Sequence, residues 1–205
     1  MAFTGTDIKT KALINLMDDG TRWSDATLIS FINDCLEEMV VIEPMVGINI
    51  AVVQLAVGVV QSSGGYKLID VMCNCTSGGL EKQAVIKLNK PTVEFTNPTW
   101  ATARARNTTK FFMPSTEIPA EFFVYPPSDG TGYVKLKRAS FVSPITALAN
   151  TVSVGDQYKQ AIVDYVCYKA YKQDTDTVNR QKASEYYQDF LSKLQIASGQ
   201  PRTQG

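Results

Sequence analysis

The chain contains 205 residues, of which 44% are hydrophobic and 20% are charged, as in an ordinary globular protein. Its 20 Lys and Arg residues balance 20 Asp and Glu residues, which argues against a dedicated nucleic-acid-binding protein with a cationic excess. The sequence has no histidine, so Ser-His-Asp and Cys-His catalysis and every His-ligated metal site are excluded. We therefore expect a protein that is not an enzyme and that has no catalytic residue, metal site or cofactor.

Two helices are predicted at the start of the chain. The first is expected near residues 6–17, with Thr6 or Asp7 as its cap. The second is expected near residues 24–42, because Ser24 is a favourable N-cap residue and apolar residues then recur at steps of three and four. The predicted buried face of the second helix consists of Leu28, Ile32, Cys35, Leu36, Met39 and Val40.

Three carboxylates near the end of the second predicted helix are candidates for acid–base chemistry. Glu37 and Glu38 are adjacent in sequence, and adjacent residues of a helix do not face each other. Glu43 follows at the end of the same pattern. We interpret all three as part of a solvated outer face, because glutamate is rarely buried.

Between residues 48 and 143 the pattern changes to short β-branched runs. Turn signals rich in glycine and serine separate about five short strands, which is typical of an antiparallel sandwich or meander. Residues 89–119 contain four prolines and are predicted to be irregular. The strand EFFVYPP is expected to end at its two prolines.

Helical periodicity returns near the end of the chain, and the helix at 24–42 is expected to pack against the two helices found there. The predicted fold class is α+β: a small bundle of helices near 6–17, 24–42, 156–173 and 177–197, with an inserted antiparallel β-rich segment. The predicted domains are a helical bundle of 1–47 plus 144–197, an inserted β-rich domain of 48–143 and a flexible C-terminal tail of 198–205.

The four cysteines are expected to be free thiols. Cys73 and Cys75 form a C-x-C pair, which lacks the paired C-x₂-C spacing of a zinc site. Cys35 and Cys167 fall within helical patterns and are interpreted as small core residues. The first residues lack a secretion signal, and the apolar stretch 48–60 is too short to span a bilayer. These observations predict a cytosolic protein with no membrane contact.

Arg104, Arg106 and Lys110 lie close together among aromatic residues. Basic residues interleaved with aromatics can contact nucleic acid, and the alternative is a polar loop held by buried aromatic anchors. Three further cations in the last predicted strand line a surface or protect a sheet edge: Lys135, Lys137 and Arg138.

The last two predicted helices are rich in tyrosine, at positions 158, 165, 168, 171, 186 and 187. Some of these side chains are expected in the core, but they cannot all face inward. Tyrosines left at a surface favour contacts with other proteins.

Three stretches, taken in order, resemble a known family. They are RWSDATLISFINDCLEEMVVIEP near the start, PAEFFVYPP in the middle, and VSVGDQYKQAIVDYVCYKAYKQDTD followed by EYYQDFLSKL near the end. This arrangement resembles the head-to-tail adaptor, or connector, proteins of tailed bacteriophages, in particular those of short-tailed phages. The resemblance covers nearly the whole chain and rests on pattern and order, because no catalytic motif defines the family.

The resemblance implies a virion structural protein of the neck or tail, assembled in the host cytoplasm. About twelve copies would form a ring beneath the portal and extend the DNA channel used in ejection. The implied partners are the chain itself, the portal protein, the next tail component and double-stranded DNA in transit. The C-terminal segment of such proteins docks onto the portal, which maps here to 198–205 with Gln200, Pro201 and Arg202 as the contact residues.

Three alternatives remain open at this point. One is another tail component, such as a tail ring or tail-tube subunit. A second is a DNA-binding accessory protein that uses Arg104, Arg106 and Lys110. The least favoured is an enzyme with a carboxylate or tyrosine centre, because the sequence offers neither a distinctive carboxylate pair nor an obvious base.

Overall fold

The structure is a computed structural model that describes residues 2–173 and 177–199. It divides the chain into a helical unit, formed by Met1–Val46 and Phe141–Gly205, and a β unit, formed by Gly47–Ser140. The helices and the two mainly antiparallel sheets confirm the predicted α+β class.

The elements follow one another in this order. The helices are α1 (Gly5–Leu16), α2 (Asp25–Ile42), α3 (Lys90–Thr96), α4 (Lys159–Lys172) and α5 (Thr177–Ala197). The strands are β1 (Ile48–Gln54), β2 (Val57–Ser62), β3 (Lys67–Cys75), β4 (Glu81–Ala84), β5 (Ile86–Lys87), β6 (Phe111–Pro114), β7 (Glu121–Asp129) and β8 (Tyr133–Ala139). Three 3₁₀ turns lie at Pro44–Gly47, Trp100–Thr102 and Asp156–Tyr158.

The first two helices begin at side chains that satisfy free backbone N–H groups. The cap of α1 is Thr4, so the prediction of Thr6 or Asp7 as the cap was wrong. The Thr4 hydroxyl accepts a hydrogen bond from the Asp7 N–H at 3.3 Å, and the Asp7 carboxylate accepts one from the Thr4 N–H at 2.8 Å. Ser24 caps α2 as predicted, because its hydroxyl accepts from the Thr27 N–H at 3.2 Å.

The core of the helical unit is built around α4, which packs against α1, α2 and α5. All six residues of the predicted buried face of α2 are buried, and Phe31 joins them. An unbroken run of seven buried residues in α4, Ala161–Cys167, explains why this helix can face three neighbours. On α5 the buried residues are Ala183, Phe190 and Leu194.

The β unit contains two four-stranded sheets, with the strand orders β1-β8-β3-β4 and β2-β7-β6-β5. The pairs are antiparallel except for β5 and β6, which run parallel. The prediction of about five strands was too low. The prediction that residues 89–119 are irregular was also wrong, because this segment contains α3, a 3₁₀ turn and β6.

Strand β7 does not end at its two prolines. It continues through Pro126 and Pro127 to Asp129, and the Tyr125–Pro126 peptide bond is cis. Proline removes only the N–H donor, and the carbonyl of Pro127 still accepts a hydrogen bond from the Arg106 N–H at 2.8 Å.

The inner faces of the two sheets share one hydrophobic core. Its buried members are Leu55, Leu68, Val71, Val85, Phe112, Phe122, Val124, Val134 and Leu136. A second cluster lies on the other side of β6 and β7, where Val93 of α3 and Trp100 pack with Met113. The segment from α3 to Trp100 therefore covers the outer face of the second sheet.

Strand β8 lies inside its sheet, between β1 and β3. The interpretation of Lys135, Lys137 and Arg138 as edge-protecting residues was therefore wrong. Lys135 forms an ion pair with Glu81 at 2.7 Å, and the Arg138 guanidinium donates to the carbonyl of Ser63 at 2.5 Å.

Candidate assembly surfaces

The structure places Arg104, Arg106 and Lys110 in one segment that runs beside β7. The Arg106 N–H donates to the carbonyl of Pro127 at 2.8 Å, and the Arg106 carbonyl accepts from the Asp129 N–H at 3.0 Å. The Lys110 N–H donates to the carbonyl of Tyr125 at 2.9 Å. The three basic side chains are exposed, so the backbone fixes their positions and leaves the charges in solvent.

A buried amide anchors this basic segment. The Asn74 side chain of β3 donates to the carbonyl of Thr109 at 2.7 Å and accepts from the Thr109 N–H at 2.9 Å. The Thr109 hydroxyl donates to the carbonyls of Phe111 and Tyr125, each at 3.0 Å. Both Asn74 and Thr109 are almost fully buried, so the loop is held by satisfied polar groups rather than by its cations.

Among the residues that the structure describes, the three cations have no carboxylate partner. Within residues 2–173 and 177–199, no ion pair joins Arg104, Arg106 or Lys110 to a carboxylate. The whole β unit carries ten Lys and Arg residues against six Asp and Glu residues, a net charge of +4. The neutral chain therefore contains a basic unit with free cations at its surface.

In the helical unit, one glutamate joins three helices. Glu38 of α2 accepts a hydrogen bond from the hydroxyl of Tyr165 on α4 at 2.5 Å and from that of Tyr187 on α5 at 2.8 Å. The interpretation of the α2 carboxylates as solvated is correct for Glu37, which is exposed, and wrong for Glu38. It is also wrong for Glu43, which is buried and accepts a hydrogen bond from the Met45 N–H at 3.1 Å.

Both phenols bound to Glu38 stay protonated at neutral pH. The hydrogen bond to Glu38, with burial second, raises the pKa of Tyr187 to about 12. Burial, with the hydrogen bond to Glu38 second, raises the pKa of Tyr165 well above its usual value. The arrangement is therefore a structural clamp of one carboxylate and two donors, in which neither phenol is poised to release a proton near pH 7.

We expect Glu38→Ala to lower the free energy of unfolding by about 1.5–3 kcal/mol, because the buried hydroxyl of Tyr165 loses a charged acceptor. Urea unfolding followed by circular dichroism measures the change. The matched control is Glu37→Ala, an exposed neighbour on the same helix, which we expect to change stability by less than about 0.5 kcal/mol. Equal effects of the two variants would contradict the clamp.

The tyrosines of α4 and α5 pack mainly against one another. The rings of Tyr171 and Tyr186 are stacked with centroids 5.6 Å apart, and those of Tyr168 and Tyr187 lie 4.8 Å apart. From the sequence alone, the number of tyrosines is interpreted as a sign of contacts with other proteins. The structure explains most of them by the interface between α4 and α5.

All four cysteines are free and buried. Cys35 and Cys167 are fully buried in the helical core, as predicted. Burial raises the pKa of Cys167 to about 12 and that of Cys35 well above its usual value, so both thiols remain protonated and unreactive.

Among the described residues, no three His, Cys, Asp or Glu side chains are grouped to hold a metal ion. No described helix combines the length and the apolar character needed to cross a bilayer.

The predicted portal-docking residues Gln200, Pro201 and Arg202 lie outside the described residues. Helix α5 ends at Ala197, shortly before these three residues, and two backbone hydrogen bonds cap its C-terminal end. The Ser198 N–H donates to the carbonyl of Leu194, and the Gly199 N–H donates to that of Ile196, both at 3.1 Å. Gly199 has a φ of 74°, a conformation that favours glycine at the end of a helix.

The comparison with protein families covers nearly the whole chain. A family described as SU10 adaptor protein matches residues 3–205. The chain belongs to the SU10 adaptor protein family. None of the curated proteins compared with this adaptor matches it.

Membership identifies the adaptor as a phage structural protein and a component of the virion. The resemblance seen in the sequence is thereby confirmed at the level of a phage adaptor. The family is one of structural adaptors, and an adaptor acts by contacting other phage head or tail proteins. The functional features to be found in this chain are therefore surfaces.

Proposed function

We propose that the adaptor forms a ring of about twelve copies that joins the portal to the tail and extends the DNA channel, as in short-tailed phages. The observation that carries this proposal is the family match, which extends over residues 3–205. The two units would act as the predicted helical and inserted domains, and assembly would take place in the host cytoplasm. Neither a cofactor nor an enzymatic step is part of the proposal.

We propose that Arg104, Arg106 and Lys110 contact the DNA in transit. No carboxylate of the described part of the chain pairs with them, and this supports the role, because exposed cations without such a partner are available to phosphates. Three charges per copy attract DNA only moderately at physiological salt, so DNA can pass through the channel without being held.

We propose that the C-terminal tail docks onto the portal through Gln200, Pro201 and Arg202. A short tail that folds on its partner adds contacts while each single copy stays weakly bound, and the ring then gains avidity from many copies.

Removing residues 200–205 should weaken binding to the portal at least about tenfold per copy, because the tail contacts are lost. Thermal unfolding should stay unchanged, because the backbone hydrogen bonds of Ser198 and Gly199 still close α5. Biolayer interferometry on immobilised portal rings measures the affinity. A full-length variant with Gln200, Pro201 and Arg202 replaced by alanine controls for chain length, and unchanged affinity in both variants would contradict tail docking.

Sedimentation velocity tests the ring itself. The adaptor is run alone and mixed with the portal ring encoded in the same genome. We expect the portal boundary to gain a saturating mass equal to about twelve adaptor subunits, even where the free adaptor is monomeric. A portal boundary that stays unchanged at micromolar adaptor would overturn the portal-binding role and favour a tail ring or tail-tube subunit.

The unpaired cations also favour a second candidate, a DNA-binding accessory protein. This candidate predicts salt-dependent binding of the free adaptor to short duplexes, measured by fluorescence anisotropy, and its loss when Arg104, Arg106 and Lys110 are replaced by glutamine. Duplex binding in the absence of any portal binding would decide for this candidate and against the ring.

A further inference from the structure

A small polar cavity lies in the β unit between β4 and the basic segment, residues 104–110. Its volume is about 220 Å³. A water molecule takes about 30 Å³ of liquid, so the cavity has room for a group of several heavy atoms. Its lining contains no carboxylate, and most of its polar members are Thr76, Lys82, Asn107, Thr108, Thr131 and Tyr133. We call it the Lys82 cavity.

One buried amide places Lys82 beside the basic segment. The side-chain nitrogen of Asn74 donates to the carbonyl of Gln83 at 3.1 Å and to that of Thr109 at 2.7 Å. The chain neighbours of these two residues, Lys82 on β4 and Thr108 on the basic segment, both line the cavity. Asn74 is 2% exposed, so its hydrogen bonds fix the position of β4 relative to the basic segment.

A glycine shapes another wall of the cavity. A Cβ atom at Gly132 would lie 2.2 Å from the carbonyl oxygen of Asn107, which is closer than real Cβ contacts come. Only glycine therefore lets the basic segment approach the start of β8 this closely. The cavity is thus formed by fixed backbone and needs no rearrangement to accept a ligand, which favours binding.

The donors of the cavity are not used elsewhere in the described part of the chain. Within residues 2–173 and 177–199, no ion pair or hydrogen bond engages the side chain of Lys82, Asn107 or Thr108. The charge of Lys82 reaches the cavity wall: burial raises the pKa of Cys75, and the charges of Lys135 and Lys82 oppose this rise. An ammonium group beside free amide and hydroxyl donors suits a phosphate group.

Two carboxylates that are close to the cavity in sequence have other partners. Glu81, the neighbour of Lys82, forms an ion pair with Lys135 at 2.7 Å. The carboxylate of Asp129 accepts hydrogen bonds from the N–H and the hydroxyl of Thr131, at 2.9 and 2.7 Å. Neither carboxylate pairs with Lys82, so the charge of Lys82 adds to the three cations of the basic segment.

We propose that the Lys82 cavity binds a phosphate group of the DNA backbone, with the Lys82 ammonium as its counter-charge and the Asn107 and Thr108 side chains as hydrogen-bond donors. Lys82 is then a fourth cationic contact of each copy, beside the three of the basic segment. Contacts to phosphate alone do not depend on the base sequence, as DNA in transit requires. This inference rests on the proposed contact between the basic segment and DNA, and it assigns a site for one phosphate beside it.

The salt dependence of duplex binding tests the site. Fluorescence anisotropy measures the affinity of the full-length adaptor for a labelled duplex at a series of salt concentrations. Each phosphate contact contributes a slope of about −0.9 to a plot of log K against log salt concentration. We expect Lys82→Gln to remove about 0.9 from the magnitude of the slope and to weaken binding about fivefold to tenfold at about 0.1 M salt. Lys82→Arg should restore the slope, because it restores the charge.

Lys67→Gln is the matched control. Lys67 is an exposed lysine at the start of β3, whereas Cys75, at the end of the same strand, lines the cavity. The length of the strand, about 26 Å, exceeds the Debye length of about 10 Å at 0.1 M salt. We therefore expect Lys67→Gln to leave both the slope and the affinity unchanged.

Inorganic phosphate distinguishes the cavity from an open basic surface. It is titrated into isotope-labelled adaptor and followed by amide NMR. We expect saturable shifts of the Asn107 and Thr108 backbone amides in the wild type, and no saturation in Lys82→Gln. Shifts that do not saturate and are spread over the exposed cations would indicate an adventitious ion only and would overturn the cavity as a site.

The outcomes separate this inference from the proposed function. If the wild type binds the duplex and Lys82→Gln has the same affinity and slope, the Lys82 site is overturned and the contact of the basic segment stands. If the wild type binds no duplex even at low salt, the proposed DNA contact fails. The phosphate titration then decides: saturable shifts at Asn107 and Thr108 would identify free phosphate as the ligand in place of DNA, and their absence would overturn the site.

Discussion

We expect Phe190→Ala to lower the free energy of unfolding by about 3–5 kcal/mol, the range for removing a large aromatic side chain from a packed core. Phe190 is fully buried, and its ring centroid lies 5.0 Å from that of Tyr165 and 5.8 Å from that of Tyr187. Few residues of α5 are buried, so this ring supplies a large part of the apolar contact that holds α5 against α4.

Urea unfolding followed by circular dichroism measures the loss, and Ile196→Ala is the matched control. Ile196 lies on the same helix and is 54% exposed, so its truncation should change stability by less than about 0.5 kcal/mol. If Phe190→Ala were as mild as this control, α5 would not be docked on α4 in solution.

The second large effect is expected for Lys193→Met, with a loss of about 3 kcal/mol at pH 7. Asp164 of α4 is buried, and its carboxylate accepts hydrogen bonds from the Lys193 ammonium of α5 and from the Gln160 amide, the latter at 3.2 Å. Replacing Lys193 leaves the buried Asp164 carboxylate with the Gln160 amide as its remaining partner. Removing one partner of a buried ion pair destabilises the fold more than replacing both partners by apolar residues.

The loss should depend on pH with a defined sign. Burial raises the pKa of Asp164 above its usual value, against the opposing effect of Lys193. A raised pKa means that the protonated carboxyl is favoured in the folded state, and this contribution is lost as the pH rises through the folded pKa. The destabilisation caused by Lys193→Met should therefore be smaller below about pH 4 than at pH 7.

Thermal unfolding of the wild type and the variant between about pH 3.5 and pH 7 measures this dependence, because this range begins near the usual pKa of an aspartate and ends well above it. Two comparisons control it. The double variant Asp164→Leu with Lys193→Met should recover most of the stability, because no buried charge remains. Lys9→Met breaks a more exposed ion pair, with Asp25 at 2.6 Å, and should cost at most about 1 kcal/mol. A Lys193→Met loss that does not change with pH would contradict the role of the Asp164 charge.

The helical unit could be predicted from the sequence because its signals are local. The repeat of apolar residues along α2 and the cap at Ser24 depend on near neighbours in the chain, and both are confirmed. Glu38 and Asp164 could not be predicted in their buried positions. Their burial depends on donors from α4 and α5, and a sequence does not show which carboxylate a distant tyrosine or lysine will reach.

The β unit was predicted less well, because its strands are short and its order along the chain is not its order in the sheets. Residues on both faces of β1 are apolar, so its pattern does not indicate which face is buried. The position of β8 between β1 and β3, and therefore the exposure of Ile50, follows from pairing between distant segments. The candidate assembly surfaces thus became visible only when the strand order was known.

The β unit begins and ends at neighbouring positions, Gly47 and Ser140, and this proximity bears on how the gene can recombine. Ile48 lies opposite Ala139 in the β1–β8 register, and the Ser140 N–H donates to the carbonyl of Gly47 at 2.9 Å. The ends of the inserted segment are therefore as close as two neighbouring strands. A recombination event that exchanged or removed this segment would leave two ends that a short peptide can rejoin, so a phage could change this part of its adaptor as a single cassette while keeping the helical framework.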